Sequence, residues 1–372
     1  MKKSISFIIA ISLLFTLSCK KESAVVLTDS GLNPILFQSI NSDGKKSDLF
    51  VLKNKNGMEI CVTNIGMRIV SLMVPDKNGE KKDIVLGFDR LEQYENSDNY
   101  FGAVTGRYTN RIANAKFVLD RVSYELRKKF DDPNSLHGGP NGFHTQYFTI
   151  TQENETEIKG NYFSKNKEEG FPGDLSITVT YKLADDNTLS IHYEAETNMP
   201  TVFNPSNHSY FNLSGDLSQS VLDHQIYINA STYTPLNENM IPTGEFKDIK
   251  DTCFDFTQAK TLESGIAECG NYDLNYVLGS EGDISVLAAK AFSPTSGITM
   301  EVYTTEPGIQ LYTPEDLQVT GKKGIVYKGN NSFCLETQHY PDSPNQPNFP
   351  TTVLRPGEPF STTTIYKFST NK

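Results

Sequence analysis

The chain has 372 residues, a formal net charge of −11 and six histidines. Its basic clusters are short, the pairs Lys2-Lys3, Lys20-Lys21, Lys45-Lys46, Lys81-Lys82 and Lys322-Lys323 and the triplet Arg127-Lys128-Lys129, which argues against nucleic acid or an anionic membrane surface as partner and leaves a neutral ligand as the expectation. Tryptophan is absent while Tyr and Phe number 18 and 22, so stacking against a ligand ring falls to those two residue types.

In chain order, Lys2-Lys3, an apolar run from Ile5 to Leu17 and Ser18-Cys19 follow the basic, apolar and small-residue order of a secretory signal, placed at residues 1–18. The run is too short to span a bilayer. Cys19 directly after Ser18 is a lipobox arrangement, in which cleavage precedes the cysteine and its thiol takes a lipid. Thr16 stands where leucine is commoner, and an ordinary signal peptide is the alternative. Both readings put the mature protein outside the cytoplasm, periplasmic or at the cell surface. Residues 19–46 are polar and expected to be a tether and lead-in, with the folded domain over 47–372. Cys61, Cys253, Cys269 and Cys334 lack metal-ligand spacing and leave a disulfide open without implying one.

Beyond Ser47, period-two alternation dominates and predicts an all-β, mostly antiparallel domain. Leu175, Ile177, Val179, Tyr181 and Leu183 share one face, residues 184–187 form a turn, and Leu189, Ile191, Tyr193 and Ala195 continue as the hairpin partner. Asn56-Gly57, Asn78-Gly79 and Asn141-Gly142 mark further turns. The same parity sorts the histidines. His192 falls on the face opposite Ile191 and Tyr193, as a solvated or layer-bridging residue, and His224 shares parity with Ile226 and Ile228 and reads as a hydrogen-bonded core histidine rather than a ligand. His144 and His339 fall in loops and either line a site or flank it.

Three stretches offer proton-transfer groups: Leu136-His137-Gly138-Gly139, Asn207-His208-Ser209-Tyr210-Phe211-Asn212 and Phe333-Cys334-Leu335-Glu336-Thr337-Gln338. On a strand, Cys334, Glu336 and Gln338 share the face opposite Phe333 and Leu335. Gln310 and Tyr312 likewise share a face of the 308–313 run, and amides, a tyrosine and a carboxylate facing one cleft suit a ligand rich in hydroxyls. The glycines after His137 are expected to let it approach a ligand closely. Arg107 and Arg111 add two guanidinium forks, read either as ligand contacts or as structural salt bridges. His208 reads equally well as a strand-end histidine with an ordinary hydrogen bond. The H-E-x-x-H, G-x-S-x-G, G-x-x-x-x-G-K-[ST] and G-x-G-x-x-G signatures are missing.

Taken together these residues resemble the aldose 1-epimerase (galactose mutarotase) family. The resemblance runs from about residue 48 to the C-terminus through Asn64-Ile65-Gly66, Gly87-Phe88-Asp89, Gly106-Arg107 with Asn110-Arg111-Ile112-Ala113, the three stretches above, Gly170-Phe171-Pro172-Gly173, Tyr272-Asp273 and Glu306-Pro307-Gly308-Ile309-Gln310. It implies a large antiparallel β-sandwich of the galactose mutarotase-like supersandwich type, acting on free aldoses such as galactose or glucose without metal or other cofactor. It also implies Glu336 as general base, His208 as general acid, and Asn110, Arg111, His137, Asp273 and Gln310 as residues holding sugar hydroxyls.

That chemistry requires a protonated acid near neutral pH, so a raised His208 pKa is expected. Two departures from the family's pattern, Leu274 where histidine is common and His144 with Gln146-Tyr147 after Gly142, put sugar preference in question. The competing readings are an inert sugar-binding lipoprotein of the same fold, or a hexose-6-phosphate 1-epimerase, which would want a denser basic cluster. The expected partners are a small sugar and, through the lipid anchor only, a membrane, with the protein a monomer or dimer.

Overall fold

The structure is a computed structural model that describes residues 25–370; the predicted signal segment and Cys19 lie outside the described residues. The 175–197 hairpin forms as its alternation requires. Strands Leu175–Leu183 and Thr188–Thr197 pair Val179 with Tyr193 and Tyr181 with Ile191, and the predicted inward residues are buried while their neighbours are not. A one-residue slip would turn this whole set outward. Each buried Leu, Ile or Val contributes about 1.5–3 kcal/mol, so the register is strongly held. The turn closes with Asn187 in the left-handed region (φ 64°), which Asn tolerates.

This hairpin lies within a nine-stranded antiparallel sheet. From one edge its order is Thr149–Asn154, Glu157–Ser164, Leu175–Leu183, Thr188–Thr197, Phe360–Thr370, Ile298–Thr304, Ala289–Phe292, Gln225–Ile228 and Lys260–Thr261. Its inner face (Ile177, Val179, Ile191, Met300, Val302, Tyr366) shares one hydrophobic core with Tyr276, Ile309, Leu311 and Leu335. Those four belong to a five-stranded sheet ordered Lys247–Asp248, Ala230–Tyr233, Asp273–Leu278, Gly308–Tyr312 and Cys334–Gln338. A four-stranded sheet (Leu49–Lys53, Glu59–Thr63, Arg68–Pro75, Lys81–Asp83) and the pair Ala103–Thr105 with Ser206–His208 complete the sandwich. Only two short α-helices, Leu91–Glu95 and Leu262–Cys269, occur among the described residues.

The lead-in differs from its expectation. From Thr28 it is docked on the domain: the buried Glu59 carboxylate accepts the Asp29 N–H at 2.9 and 3.0 Å, Leu32 and Phe37 are buried, and Ser39–Ile40 pairs with Lys46–Ser47. Packing therefore starts near Thr28 rather than Ser47. Two apolar residues five positions apart in a polar stretch have no periodicity to announce them. The pairing left open by cysteine spacing is Cys253–Cys269, 16 residues apart; closing a loop of that length contributes about 3 kcal/mol in the chain-entropy account.

Candidate active site

The five-stranded sheet positions the polar groups by parity. Its back face carries Leu274, Tyr276, Ile309, Leu311 and Leu335 into the core. Its front face must then carry the alternate residues. Register places Asn275, Gln310 and Glu336 side by side in one row, and Asp273, Tyr312 and Cys334 in the next. Gln310 donates to Asp273 Oδ1 at 2.6 Å, and Arg111 approaches Asp273 Oδ2 at 3.5 Å.

His208 comes from the neighbouring strand pair, where it faces Ala103. Ser206 donates to the Thr337 carbonyl at 2.8 Å and ties that strand to the one bearing Glu336. His208 Nε2 thereby stands 3.6 Å from Glu336 Oε1, longer than a hydrogen bond. The imidazole lies between two nearly parallel phenol rings, Tyr210 at 4.8 Å and Tyr100 at 5.6 Å between centroids. Asn207 is turned inward, donating to the Gly102 carbonyl, so its N-x-S sequence is buried and unavailable for glycosylation.

His137 and Asn110 lock each other in place. Both have left-handed backbone, at φ 51° and 64°, a conformation costing about 1–3 kcal/mol where it is not intrinsic. The Asn110 N–H donates to His137 Nδ1 at 3.2 Å, and the His137 N–H donates to the Asn110 carbonyl at 3.1 Å. With Nδ1 accepting, the His137 proton sits on Nε2. Gly138 serves this turn differently from expectation: a side chain there would overlap the Gly106 carbonyl, so it admits the backbone that follows the Ala103–Thr105 strand rather than a ligand. His137, His208 and Glu336 bring one donor-type atom each within 4.8 Å of the others. Since His137 Nε2 carries a proton, the set is built for hydrogen bonding and proton transfer and is ill suited to ligate a metal.

These residues line a cavity of about 230 Å³ together with Tyr100, Asn110, Arg111, Tyr210, Asp273 and Tyr312. Electrostatics there are set by burial. Desolvation, with a smaller push from the Arg68 charge, takes His208 down to about 3. Glu336 is driven well above the usual carboxylate range, first by burial and then by the negative Asp273, against a smaller opposing pull from Arg111. The expected rise of the His208 pKa is thus reversed, because its setting is dry and aromatic and its carboxylate neighbour is itself held neutral. Both groups favour their uncharged forms, so the pair carries one proton in total. Glu336 Oε2, His208 Nδ1 and Gln310 Oε1 are buried without a protein partner, each at a cost of about 1–3 kcal/mol.

Other expectations sort cleanly. Arg107 is structural, donating to Ser164 Oγ and to the carbonyls of Pro172, Ser164 and Lys165. His144 is buried against the Tyr100 ring at 4.8 Å and lies behind the cleft. His192 bonds Thr363 on the outer face at 2.8 Å, and the buried His224 bonds Asp223 at 2.8 Å, as parity predicts. Leu274 points into the core, so a side chain at that position does not reach the cleft in this register. Gln146 and Tyr147 bond Asn141 and Glu95, also outside the cavity. Sequence reasoning missed Tyr100, Asn275 and the buried Arg68. Arg68 donates to the carbonyls of Asn99, Phe101 and His144 and so holds Tyr100 over His208. For Asn275 the signal existed, since it shares parity with Asp273.

Comparison with known proteins agrees with this geometry. Residues 48–367 match the aldose 1-epimerase family. The chain is similar to the galactose mutarotase of Homo sapiens, 39% identical over 338 residues that cover 90% of this chain and 97% of that one. It is similar to the aldose 1-epimerase of Escherichia coli (strain K12), 35% identical over 335 residues, 88% and 96% of the two chains. Among solved structures, an aldose epimerase homologue from C. elegans superposes with a TM-score of 0.83 at 31% identity, over 88% of this chain and all of that one. The identity, the coverage and the shared sandwich lead to one conclusion: the chain belongs to the aldose 1-epimerase family.

Proposed function

We propose that this protein is an extracytoplasmic aldose 1-epimerase that interconverts the α and β anomers of free aldoses such as galactose or glucose. The observation that carries the reading is the buried His208–Glu336 pair, 3.6 Å apart and unbonded, on the wall of a polar cavity. In a cyclic aldose the anomeric hydroxyl and the ring oxygen are attached to the same carbon. An acid and a base serving both must therefore lie close together without satisfying each other.

Ring opening proceeds from the form in which the pair's single proton has moved from Glu336 to His208: Glu336 as carboxylate takes the proton of the anomeric hydroxyl while His208 as imidazolium gives one to the ring oxygen. The bond from C1 to the ring oxygen breaks and the aldehyde forms. Rotation about C1–C2 presents the other carbonyl face. Neutral His208 then recovers its proton from the attacking hydroxyl, and Glu336 returns one to the aldehyde oxygen. The pair holds a single proton before and after each step, so the net charge of the buried site never changes. That suits a setting where burial penalises charge. Each positioned transfer is worth about 10²–10⁴ in rate.

His137 Nε2–H, Asn110, Arg111, Asp273 and Gln310 supply donors and acceptors for the ring hydroxyls. Tyr100, Tyr210 and Tyr312 supply the aromatic walls. Arg111 is engaged with Asp273 and is the one arginine or lysine lining the cavity, which disfavours a phosphorylated hexose. The Lys2 to Cys19 pattern supports export and lipid attachment, and the Cys253–Cys269 disulfide fits an oxidising compartment.

Polarimetry of freshly dissolved α-D-galactose and α-D-glucose tests the reading. The native protein should accelerate mutarotation, and Glu336→Gln and His208→Asn should each remove most of the acceleration. Tight sugar binding by a native protein that leaves the rate unchanged would instead establish an inert sugar binder.

A further inference from the structure

We infer that the exposed apolar face of residues 25–40 seats the domain directly on the phospholipid bilayer to which Cys19 is anchored. This rests on the lipoprotein reading of Cys19 and adds a surface and an orientation to it.

Among the described residues, 14 large hydrophobic side chains are exposed, and six of them fall within residues 25–40: Val25, Val26, Leu27, Ile35, Leu36 and Ile40. The other eight are spread over the rest of the domain. Scattered exposed apolar residues need no explanation; a concentration does. Val26 and Ile40 are 84% and 64% exposed, while Leu32 and Phe37 of the same segment are buried. The segment thus spends part of its apolar surface on the core and presents the rest outward.

The length of the remaining chain says what covers that surface. Docking begins at Thr28, whose N–H donates to the Leu32 carbonyl at 3.0 Å. Eight residues separate it from Cys19, and the nine Cα steps reach about 30 Å at full extension. A tether free to Lys46 would have reached about 90 Å. A domain of this size has a radius of gyration of about 20 Å, so a link ending at Thr28 keeps this face within about 30 Å of the bilayer, whereas a tether free to Lys46 would let the whole domain turn over. Val25, Val26 and Leu27 directly precede this docking point, and Ile35, Leu36 and Ile40 lie in the docked segment after it.

Local charge is mixed, with Asp43 and Asp48 in the same stretch and Asp29 paired with Lys53 and Lys81. Ile40 pairs in register with Lys46, and Lys323 reaches across to Gly31. Cations beside apolar residues match the headgroup level of a bilayer. The net charge of −11 opposes general attraction to an anionic surface, so the contact is made by the short link and the apolar residues.

Cys61 and Cys334 are buried, so a new surface cysteine can be labelled selectively. The test uses the full, lipidated chain in phosphatidylethanolamine–phosphatidylglycerol vesicles, with an environment-sensitive fluorophore at Leu36→Cys, Ile40→Cys or the distant Val118→Cys. Seating predicts blue-shifted emission at residues 36 and 40, most of it lost to a quencher carried on the lipid tails, and little change at 118. It also predicts that Leu36→Lys with Ile40→Lys, read through label at Ile35→Cys, abolishes the quenching without changing the mutarotation rate. Equal quenching at all three sites, or none on a chain that floats with the vesicles, would overturn it. So would self-association through residues 36 and 40 in detergent, or a Cys19 that mass spectrometry shows to be unlipidated. Mutarotation measured on the same samples separates loss of the surface from loss of the enzymatic reading, since either can fail alone.

Discussion

Two histidine–carboxylate pairs, one fully buried and one with a half-buried histidine, have members three residues apart along one strand and its extension, Glu336 and His339, and they are built oppositely. His339 Nδ1 meets Glu306 Oε2 at 2.6 Å. The other Glu306 oxygen accepts from Thr362 at 2.5 Å, and the His339 N–H donates to Asn204 at 2.9 Å. Burial opposes charge on His339, but the Glu306 contact outweighs it and raises its pKa. His208 and Glu336 stand 3.6 Å apart, each with an unpartnered atom, and both are pushed toward neutrality. The first pair is satisfied and holds strand ends together. The second is left unmade in the protein and is completed by a ligand's oxygens. Residue type is the same in both; the difference is which bonds the surroundings supply.

The largest expected effect separates the pairs by activity. Glu336→Gln should lower kcat by about 10²–10⁴, while Glu306→Gln should leave kcat near native and lower stability by about 1–3 kcal/mol, read by polarimetry and by denaturant unfolding. A large kcat loss in Glu306→Gln would erase the distinction.

Glu336→Gln should also be the more stable protein at alkaline pH. The folded Glu336 pKa lies above its unfolded value, so the stability it contributes is present at low pH and lost as pH rises through the folded pKa. Thermal melts of the two proteins above neutral pH check this.

A smaller effect tests the cause of the Glu336 shift. Asp273 raises that pKa, so Asp273→Asn should move the alkaline limb of the kcat/KM profile to lower pH, alongside a weaker KM. An unmoved limb would leave burial as the whole cause.

The smallest concerns acid stability. His208 and His144 are held down to about 3, chiefly by burial, while the unfolded chain takes up those protons near the ordinary value of 6.5. Stability is therefore lost as pH falls from the unfolded value toward the folded one, at up to ~1.4 kcal/mol per pH unit for each histidine. His339 has the opposite sign, stabilising below its unfolded pKa. His144→Gln, outside the cavity, should make the fall between about pH 7 and 5 shallower by about 1–2 kcal/mol in urea unfolding.

Much of this was legible in the sequence because period-two alternation is local. The 175–197 hairpin, the solvent side of His192, the core side of His224 and the shared face of Gln310 and Tyr312 follow from parity alone, as does the side of the strand to which Glu336 belongs. The resemblance that ranked His208 above His137 also rests on sequence. Tertiary structure decided what depends on neighbours distant in the chain. It buried Arg107 among carbonyls, set Tyr100 and Tyr210 about His208, and turned the expected rise of that histidine's pKa into a fall. It also docked the lead-in onto Glu59 from Thr28 onward. The physical reason is common to all of these: desolvation and hydrogen-bond satisfaction are set by whichever groups the fold brings within a few ångströms, and no local pattern encodes them.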